Sequence, residues 1–196
     1  VPVHATAPAP VAVGSNPRSV AISPDGSFAY VSALDAGTVS RVDTATNTVT
    51  ASITTGGRPW FVAFAPSGAF AYVTDFGRGT VMRLRASDDT VVNTIPVGQN
   101  PRSVSFSPDG VFAYVAGEDG FVRRIQTSND TVTATIAVGG LVTSIDISPS
   151  GSYAYVANFG LAAVQRIDTN SDRVVATVSL PVPYFVDIAP SGDFAY

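Results

Sequence analysis

The sequence predicts an all-β fold built from repeated four-stranded antiparallel sheets, and two observations carry this prediction. First, a turn with the pattern Ser/Ala-Pro-Asp/Ser-Gly occurs five times, and its glycines are 42, 42, 41 and 41 residues apart. Second, the segments between these turns alternate with a period of two and are rich in Val, Ile, Thr, Phe and Tyr. Such residues favour strands, and no segment keeps a helical periodicity.

Each repeat contains four predicted strands, which we name A to D in chain order. In the first repeat they are Ser19–Ser23, Phe28–Leu34, Thr38–Thr44 and Thr48–Thr54. A tight Pro-Asp-Gly turn joins A to B, because proline presets φ and glycine accepts a positive φ. Short polar connections join C to D. A four-stranded meander that repeats at this interval is typical of a β-propeller, in which each sheet is one blade around a central axis.

The repeats also resemble the YVTN-type β-propeller repeat. The match begins with Val13-Gly14-Ser15-Asn16-Pro17, continues through Ala29-Tyr30-Val31 and extends over residues 13–196. Tyr72-Val73-Thr74-Asp75 and Tyr155-Val156-Ala157-Asn158 come closest to the four letters that name the family. Propellers similar to this one occur in bacterial periplasmic and surface proteins and in archaeal surface layers. The resemblance therefore implies a secreted, periplasmic or cell-surface protein, and a Pro/Ala-rich N-terminus suits a chain cut from a longer precursor.

Strand C departs from the YVTN pattern in the same way in every complete repeat. It carries an arginine where the family usually has an aliphatic residue, and these arginines are Arg41, Arg83, Arg124 and Arg166. Because they recur, we expect an architectural role, with the stems packed between sheets and the heads on an acidic or carbonyl partner.

The repeat spacing predicts four complete blades and part of a fifth. The blades are expected at about residues 14–55, 56–97, 98–138 and 139–179, with the partial blade at 180–196. Residues 1–13 are expected to form a tail or a ring-closing edge strand, since proline is tolerated at a sheet edge. The resemblance implies a larger ring, so we expect an incomplete one. It is either a piece of a longer propeller or a chain that associates with a copy of itself through open edges; a lone five-bladed ring is the third alternative.

Composition excludes several functional classes. The chain has no cysteine, which removes disulfide scaffolds, thiolate metal sites and thiol nucleophiles. Its one histidine, His4, lies in the Pro/Ala-rich terminus, so a Ser-His-Asp triad could be built only with that residue. A net charge of −4 argues against nucleic acid as a partner, and no apolar run is long enough to span a membrane. We therefore expect no enzyme activity, no cofactor and no metal.

Candidate binding residues lie on the rim that the D–A and B–C loops form. The position after the D–A loop proline varies between repeats, and variation on a fixed frame is typical of recognition. Arginine and aromatic residues there suit an anionic or planar ligand. The candidates are Arg18, Arg58, Trp60, Arg102 and Tyr184 in the D–A loops, where Thr143 holds the fourth equivalent position, and Asp75, Phe76, Arg78 and Phe159 in the B–C loops. Alternatively, the aromatics pack against neighbouring loops and the arginines are merely solvated.

Two aspartates form a second candidate set. Asp146 and Asp187 occupy the middle of strand A in adjacent repeats, so both are expected beside the central channel at one height. Two carboxylates held close together raise the pKa of one of them or bind a cation. Alternatively, each accepts hydrogen bonds from backbone or water that lines the channel.

The sequence therefore predicts a noncatalytic recognition, adhesion or scaffold module of a secreted or cell-surface protein. A protein or a surface glycan is the expected partner. One alternative is the binding of an anionic ligand or of single-stranded nucleic acid on the Arg/aromatic rim. Another is a fragment of a propeller enzyme or redox-partner subunit whose active groups lie in other blades.

Overall fold

The computed structural model describes residues 9–196 and confirms the all-β fold, with four four-stranded antiparallel sheets. In every sheet the strands pair in chain order, so each sheet is one meander and one blade. Blade 1 contains β1 (Pro17–Ile22), β2 (Phe28–Ala33), β3 (Thr38–Asp43) and β4 (Thr48–Thr54). Blade 2 contains β5 (Pro59–Phe64), β6 (Phe70–Asp75), β7 (Thr80–Arg85) and β8 (Thr90–Pro96). Blade 3 contains β9 (Pro101–Phe106), β10 (Phe112–Gly117), β11 (Phe121–Gln126) and β12 (Thr131–Ala137). Blade 4 contains β13 (Val142–Ile147), β14 (Tyr153–Asn158), β15 (Ala163–Asp168) and β16 (Arg173–Ser179).

Neighbouring blades lie side by side with their first strands together on the inside. The first strands β1, β5, β9 and β13 contact one another from blade to blade. Between β1 and β5, the Val62 backbone N–H donates to Ser19 Oγ across 3.4 Å. The A–B turns follow the same order, because Pro24 of blade 1 lies against Gly68 of blade 2. The blades are therefore arranged radially, as the repeat predicts.

The hydrophobic core lies between blades. Tyr30 and Val39 are buried between blades 1 and 2, where the rings of Tyr30 and Phe64 stack with centroids 5.0 Å apart. Tyr72 and Phe106 form the equivalent pair between blades 2 and 3, also at 5.0 Å. Full burial of a large apolar side chain stabilises a fold by about 1.5–3 kcal/mol. The recurrent strand B tyrosine is therefore a packing residue.

An ion pair joins each blade to the next. The strand C arginine reaches an aspartate in the C–D turn of the following blade, and the pairs are Arg41–Asp89 (3.0 Å), Arg83–Asp130 (2.8 Å) and Arg124–Asp172 (2.9 Å). At the first two junctions, the strand B tyrosine hydroxyl also donates to this aspartate across 2.5 Å. All three aspartates have a positive φ of 54–57°. We call this arrangement of arginine, tyrosine and aspartate the interblade clasp.

Residues 180–196 form the inner part of a further blade. Ile188 and Ala195 make a single antiparallel bridge, and the backbones of Asp187 and Tyr196 exchange two hydrogen bonds of 3.1 and 2.9 Å. Val186 and Ile188 are buried. At the other end, residues 9–13 form no strand, and the rest of the expected tail or edge strand, with His4, lies outside the described residues.

Helical structure within residues 9–196 is confined to a short 3-10 turn, Phe159–Leu161, after β14. Asn158 caps this turn, because its Oδ1 accepts a hydrogen bond from the Leu161 backbone N–H across 3.1 Å. In this part of the chain no helix has the length and apolar character needed to cross a membrane.

Candidate functional site

The D–A loops meet on one rim of the molecule and surround a shared pocket. Its volume is about 280 Å³, and its lining residues are Arg18, Trp60, Phe61, Arg102, Thr143, Tyr184 and Phe185. The five variable positions identified in the sequence all belong to this lining. We call this site the rim pocket; it brings together residues from four blades and the fifth unit.

A β-bulge at the start of each blade directs these side chains to the rim. In blade 1 the register between β1 and β2 shifts between Pro17 and Ser19, on either side of Arg18. The same shift occurs at the start of β5, β9 and β13. A bulge leaves a residue outside the regular pairing and turns its side chain away from the regular pattern. In blades 1 to 3 a proline begins the strand just before the bulge, where its missing N–H is tolerated, and Val142 takes this place in blade 4.

Trp60 is the centre of the rim pocket. The Arg18 guanidinium carbon lies 3.9 Å from its ring centroid, and that of Arg102 lies at 4.5 Å. Phe76 stacks on Trp60 with centroids 4.8 Å apart and planes 28° apart. Each exposed cation–π contact is worth about 0.5–1 kcal/mol. Side chains of three blades are therefore held in one stack.

Carboxylates lie beside the other rim arginines but not beside Arg18. Glu118 accepts a hydrogen bond from Arg102 Nε across 2.7 Å. Arg58 lies 3.8 Å from Asp35, and both side chains are exposed. Arg18 is exposed and forms no ion pair within residues 9–196. Its charge is therefore the one most available to an incoming anion.

Asp75 organises the loop that carries Trp60. It is fully buried, and its Oδ1 accepts hydrogen bonds from the backbone N–H groups of Arg58 (2.9 Å), Gly77 (3.1 Å) and Arg78 (3.2 Å). The Arg78 guanidinium lies 3.7 Å from its Oδ2. A Cβ on Gly57 would lie 1.7 Å from that Oδ2, so only glycine leaves room for the carboxylate. The structure places Asp75 beneath the rim surface.

The far side of the rim pocket is aromatic and exposed. Tyr184 is 58% exposed and Phe185 is 61% exposed. Phe159 meets Tyr184 edge-on with ring centroids 6.5 Å apart. Thr143 is buried, and its hydroxyl donates to the Ala157 carbonyl across 3.2 Å. Thr143 therefore forms the floor, whereas the aromatic rings offer contact surface.

The two candidate carboxylates line an inner groove of about 460 Å³ between the first strands. Asp146 accepts hydrogen bonds from Ser105 Oγ (3.1 Å) and from the backbone N–H groups of Ile147 and Ile188 (2.9 Å each). Burial raises the pKa of Asp146; these hydrogen bonds oppose the rise, and the Asp187 charge adds to it. No cluster of three or more His, Cys, Asp or Glu suited to a metal occurs among residues 9–196. Asp146 acts as a hydrogen-bond acceptor in the groove wall.

Two residues of the site and one side-chain contact were not identified from the sequence. Phe61 and Phe185 line the rim pocket, and Glu118 pairs with Arg102. A usable signal was present, because Trp60-Phe61 and Tyr184-Phe185 place two aromatic residues in succession where a strand should alternate. Nothing in the sequence pairs Glu118 with Arg102, since that contact depends on the loop conformation.

The opposite rim holds a larger depression of about 710 Å³, lined by turn residues that include Ser23, Pro24 and Gly68. The A–B turn recurs in all five repeats, so this depression follows from the repeat itself. We therefore assign it to the architecture.

The chain is similar to known propeller proteins. Residues 69–182 match the family described as Cytochrome D1 heme domain. Among solved structures, a chain of Kuenenia stuttgartiensis hydrazine synthase is similar with a TM-score of 0.85 and 27% sequence identity. That match covers 92% of this chain and 54% of the hydrazine synthase chain, so this chain spans about half of its length. No curated protein matches the chain.

The family description names a heme, so the described residues can be compared with known ligands of heme iron. Those ligands are His, Met, Cys thiolate and Tyr. The chain has no cysteine, and its one methionine, Met82, is 3% exposed in the core between blades 1 and 2. His4 lies outside the described residues, and the inner groove is lined by none of the four ligand types. This groove does not fit an iron-ligating heme site, and we assign it no heme chemistry.

The family match agrees with the fold. The matched range starts just before β6 and runs past β16, so it includes three strands of blade 2 and all of blades 3 and 4. It accounts for more than half of the 196 residues. The chain therefore belongs to the cytochrome D1 heme domain family, a family of β-propellers.

Proposed function

We propose that the chain is a noncatalytic recognition module that binds a partner protein at the rim pocket. The convergence of non-repeating loop side chains on one pocket carries this proposal. An architectural position would repeat its residue from blade to blade, as the strand B tyrosine does. The position after the loop proline instead changes from Arg18 to Trp60 and then to Arg102. Such variation on a rigid frame supports recognition.

The rim pocket suits a carboxylate that lies beside a flat or apolar group. Arg18 lies on the Trp60 face without a carboxylate partner in the described part of the chain. Guanidinium groups bind carboxylates through paired hydrogen bonds. Tyr184 and Phe185 add exposed rings, and aromatic residues and arginine are enriched at protein interfaces. A partner with an acidic group next to an aromatic residue would contact both the Arg18 guanidinium and the exposed aromatic rings.

The charge layout gives less support to a general anion or nucleic-acid surface. Arg58, Arg78 and Arg102 each face a carboxylate of the same chain. The net charge of the chain is −4. Nucleic-acid binding draws its affinity from several phosphate contacts by uncompensated cations, and this rim offers Arg18 alone in the described residues.

A second candidate function is that of a propeller segment in an enzyme or redox assembly. The family description and the similarity to a hydrazine synthase chain favour it. In this case the reactive groups belong to other parts of the assembly, and the rim pocket docks a neighbouring subunit. Both candidates use the same surface.

We propose a secreted, periplasmic or cell-surface setting for the protein, and a repeat of the YVTN type. The setting is supported by the resemblance of the repeats to propellers of those compartments. The repeat type is supported by the Tyr-Val pairs that start at Tyr72 and Tyr155 and by the constant spacing of the turns.

Trp60 makes the proposal measurable, because it is the one tryptophan of the chain and lies in the rim pocket. Benzoate joins a carboxylate to a ring, whereas acetate and phenol carry one of these groups each. We expect benzoate to change Trp60 fluorescence at lower concentrations than acetate or phenol do. Arg18→Ala should weaken this binding about tenfold through loss of a charge-assisted hydrogen bond.

The matched control for Arg18→Ala is Arg173→Ala, which removes an exposed arginine from the start of β16, next to the C–D turn and outside the rim pocket lining. Benzoate binding to the control should equal that of the natural chain. Equal responses to the three probes, or unchanged benzoate binding after Arg18→Ala, would contradict the proposed function.

A further inference from the structure

The outer face of blade 4 carries one half of an interblade clasp. Tyr155 and Arg166 are paired across β14 and β15, as Tyr30 and Arg41 are paired in blade 1. The Arg166 guanidinium lies 4.5 Å from the ring centroid of Tyr153. In the complete clasps the arginine lies over the equivalent ring, at 3.6 Å for Arg83 over Phe70. Tyr155 and Arg166 are therefore arranged like the tyrosine and arginine of the complete clasps.

Arg166 differs from the other strand C arginines because it has no carboxylate partner within residues 9–196. Its Nε is buried and makes no hydrogen bond in that range. A buried charged donor without a partner is destabilising. In a complete clasp, Arg83 donates through Nη1 to Asp130 (2.8 Å) and to the carbonyl of Thr127 (2.7 Å), three residues before that aspartate. Arg166 is positioned to bind the same two acceptors.

The inner strands of the next blade are already in place beside blade 4. Residues 180–196 form the A–B hairpin of that blade, with Val186 and Ile188 buried. A complete blade from a second copy of this chain would have to occupy the same position. Blade 1 of such a copy would also present Asn47, which has a φ of 54°, where the later blades present aspartate. A second copy therefore offers neither the required space nor the carboxylate.

We propose that Arg166 and Tyr155 bind the aspartate of a C–D hairpin that completes the fifth blade. This aspartate has a positive φ, and the carbonyl three residues before it accepts a second hydrogen bond from the guanidinium. The hairpin is of the same repeat type as the four complete blades and pairs with residues 194–196. The positive charge of Arg166 attracts the aspartate of this C–D hairpin, and the A–B hairpin of residues 180–196 provides the strand edge with which it pairs.

The test adds a copy of residues 156–179 after Tyr196 of the full chain. Tyr155 and Tyr196 are the strand B tyrosines of successive repeats, so the added residues continue the fifth blade as residues 156–179 continue blade 4. The appended counterpart of Asp172 then faces Arg166. We expect Arg166→Ala to raise the unfolding equilibrium constant of the extended chain about tenfold, and asparagine at the appended aspartate to do the same. The two changes together should cost little more than either alone, because they remove one shared contact.

Two controls keep the proposal open to refutation. In the chain without the extension, Arg166→Ala should not raise the unfolding constant, because no carboxylate faces Arg166 and its buried Nε has no hydrogen bond to lose. Additive effects in the extended chain, or no effect there, would overturn the proposal. Light scattering on the unextended chain should give a particle of 20.2 kDa. A dimer that Arg166→Ala dissociates would assign the half clasp to a second copy and would also overturn it.

Discussion

In the interblade clasp, several side chains share one carboxylate. Burial is the largest influence on Asp130 and raises its pKa, but hydrogen bonds from Tyr72, Asn93 and Arg83 together outweigh burial and lower that pKa. The pKa of Tyr72 moves the other way, because burial and the Asp130 hydrogen bond both raise it. The proton therefore stays on the phenol and the charge stays on the carboxylate.

Loss of the Asp130 carboxylate should destabilise the protein clearly. We expect Asp130→Ala to lower the free energy of unfolding by about 2–3 kcal/mol, because it leaves the partly buried Arg83 without its charged partner. The control is Asp88→Ala, which breaks the exposed pair with Arg85 and should cost less than about 1 kcal/mol. Urea unfolding measures both variants, and equal losses would show that the clasp contributes no more than a surface pair.

The lowered pKa of Asp130 also predicts how stability depends on pH. Since its folded pKa lies below its unfolded pKa, its contribution is complete above the unfolded value and disappears as the pH falls through the folded value. Asp130→Asn should therefore lose less stability than the natural chain between about pH 5 and about pH 2. Urea unfolding at both pH values provides the measurement; parallel losses in the two proteins would argue against this linkage.

At the scale of the elements, the loop that carries Trp60 depends on the close approach of Gly57 and Asp75. We expect Gly57→Ala to cost about 1–3 kcal/mol of stability and to shift Trp60 emission, because the new Cβ forces the buried carboxylate and its loop to move. Gly26→Ala is the control, since Gly26 has a φ of +74° and nothing lies within 4 Å of an added Cβ. It should cost about 1 kcal/mol and leave the emission unchanged. Unaltered emission in Gly57→Ala would contradict the role of Asp75.

The strands could be predicted from the sequence because their alternation and turn residues are local signals. The first repeat was predicted to within two residues at each strand boundary, with strand A starting at Pro17 instead of Ser19. The bulge around Arg18 could not be predicted, because it arises from the register between two strands. For the same reason the sequence could place Arg18 and Trp60 on one rim but could not show that their side chains stack.

At the scale of the whole molecule, the radial arrangement converts a linear repeat into one composite surface. Contacts between neighbouring first strands bring the D–A loops together, so side chains that are 40 or more residues apart in sequence share the rim pocket. The outer faces of blades 1 and 4 have no neighbouring complete blade among the described residues. Val20 and Ile22 of blade 1 are each 63% exposed, and blade 4 presents its half clasp.

The most direct test of the central claim is nuclear magnetic resonance mapping of the benzoate site on the natural chain. If the rim pocket is one composite binding site, the Trp60 indole N–H and the backbone amides of Arg18, Thr143 and Tyr184 should shift together at one common dissociation constant. Shifts confined to a single blade, or centred on Asp146 in the inner groove, would contradict the claim that recognition takes place at the rim.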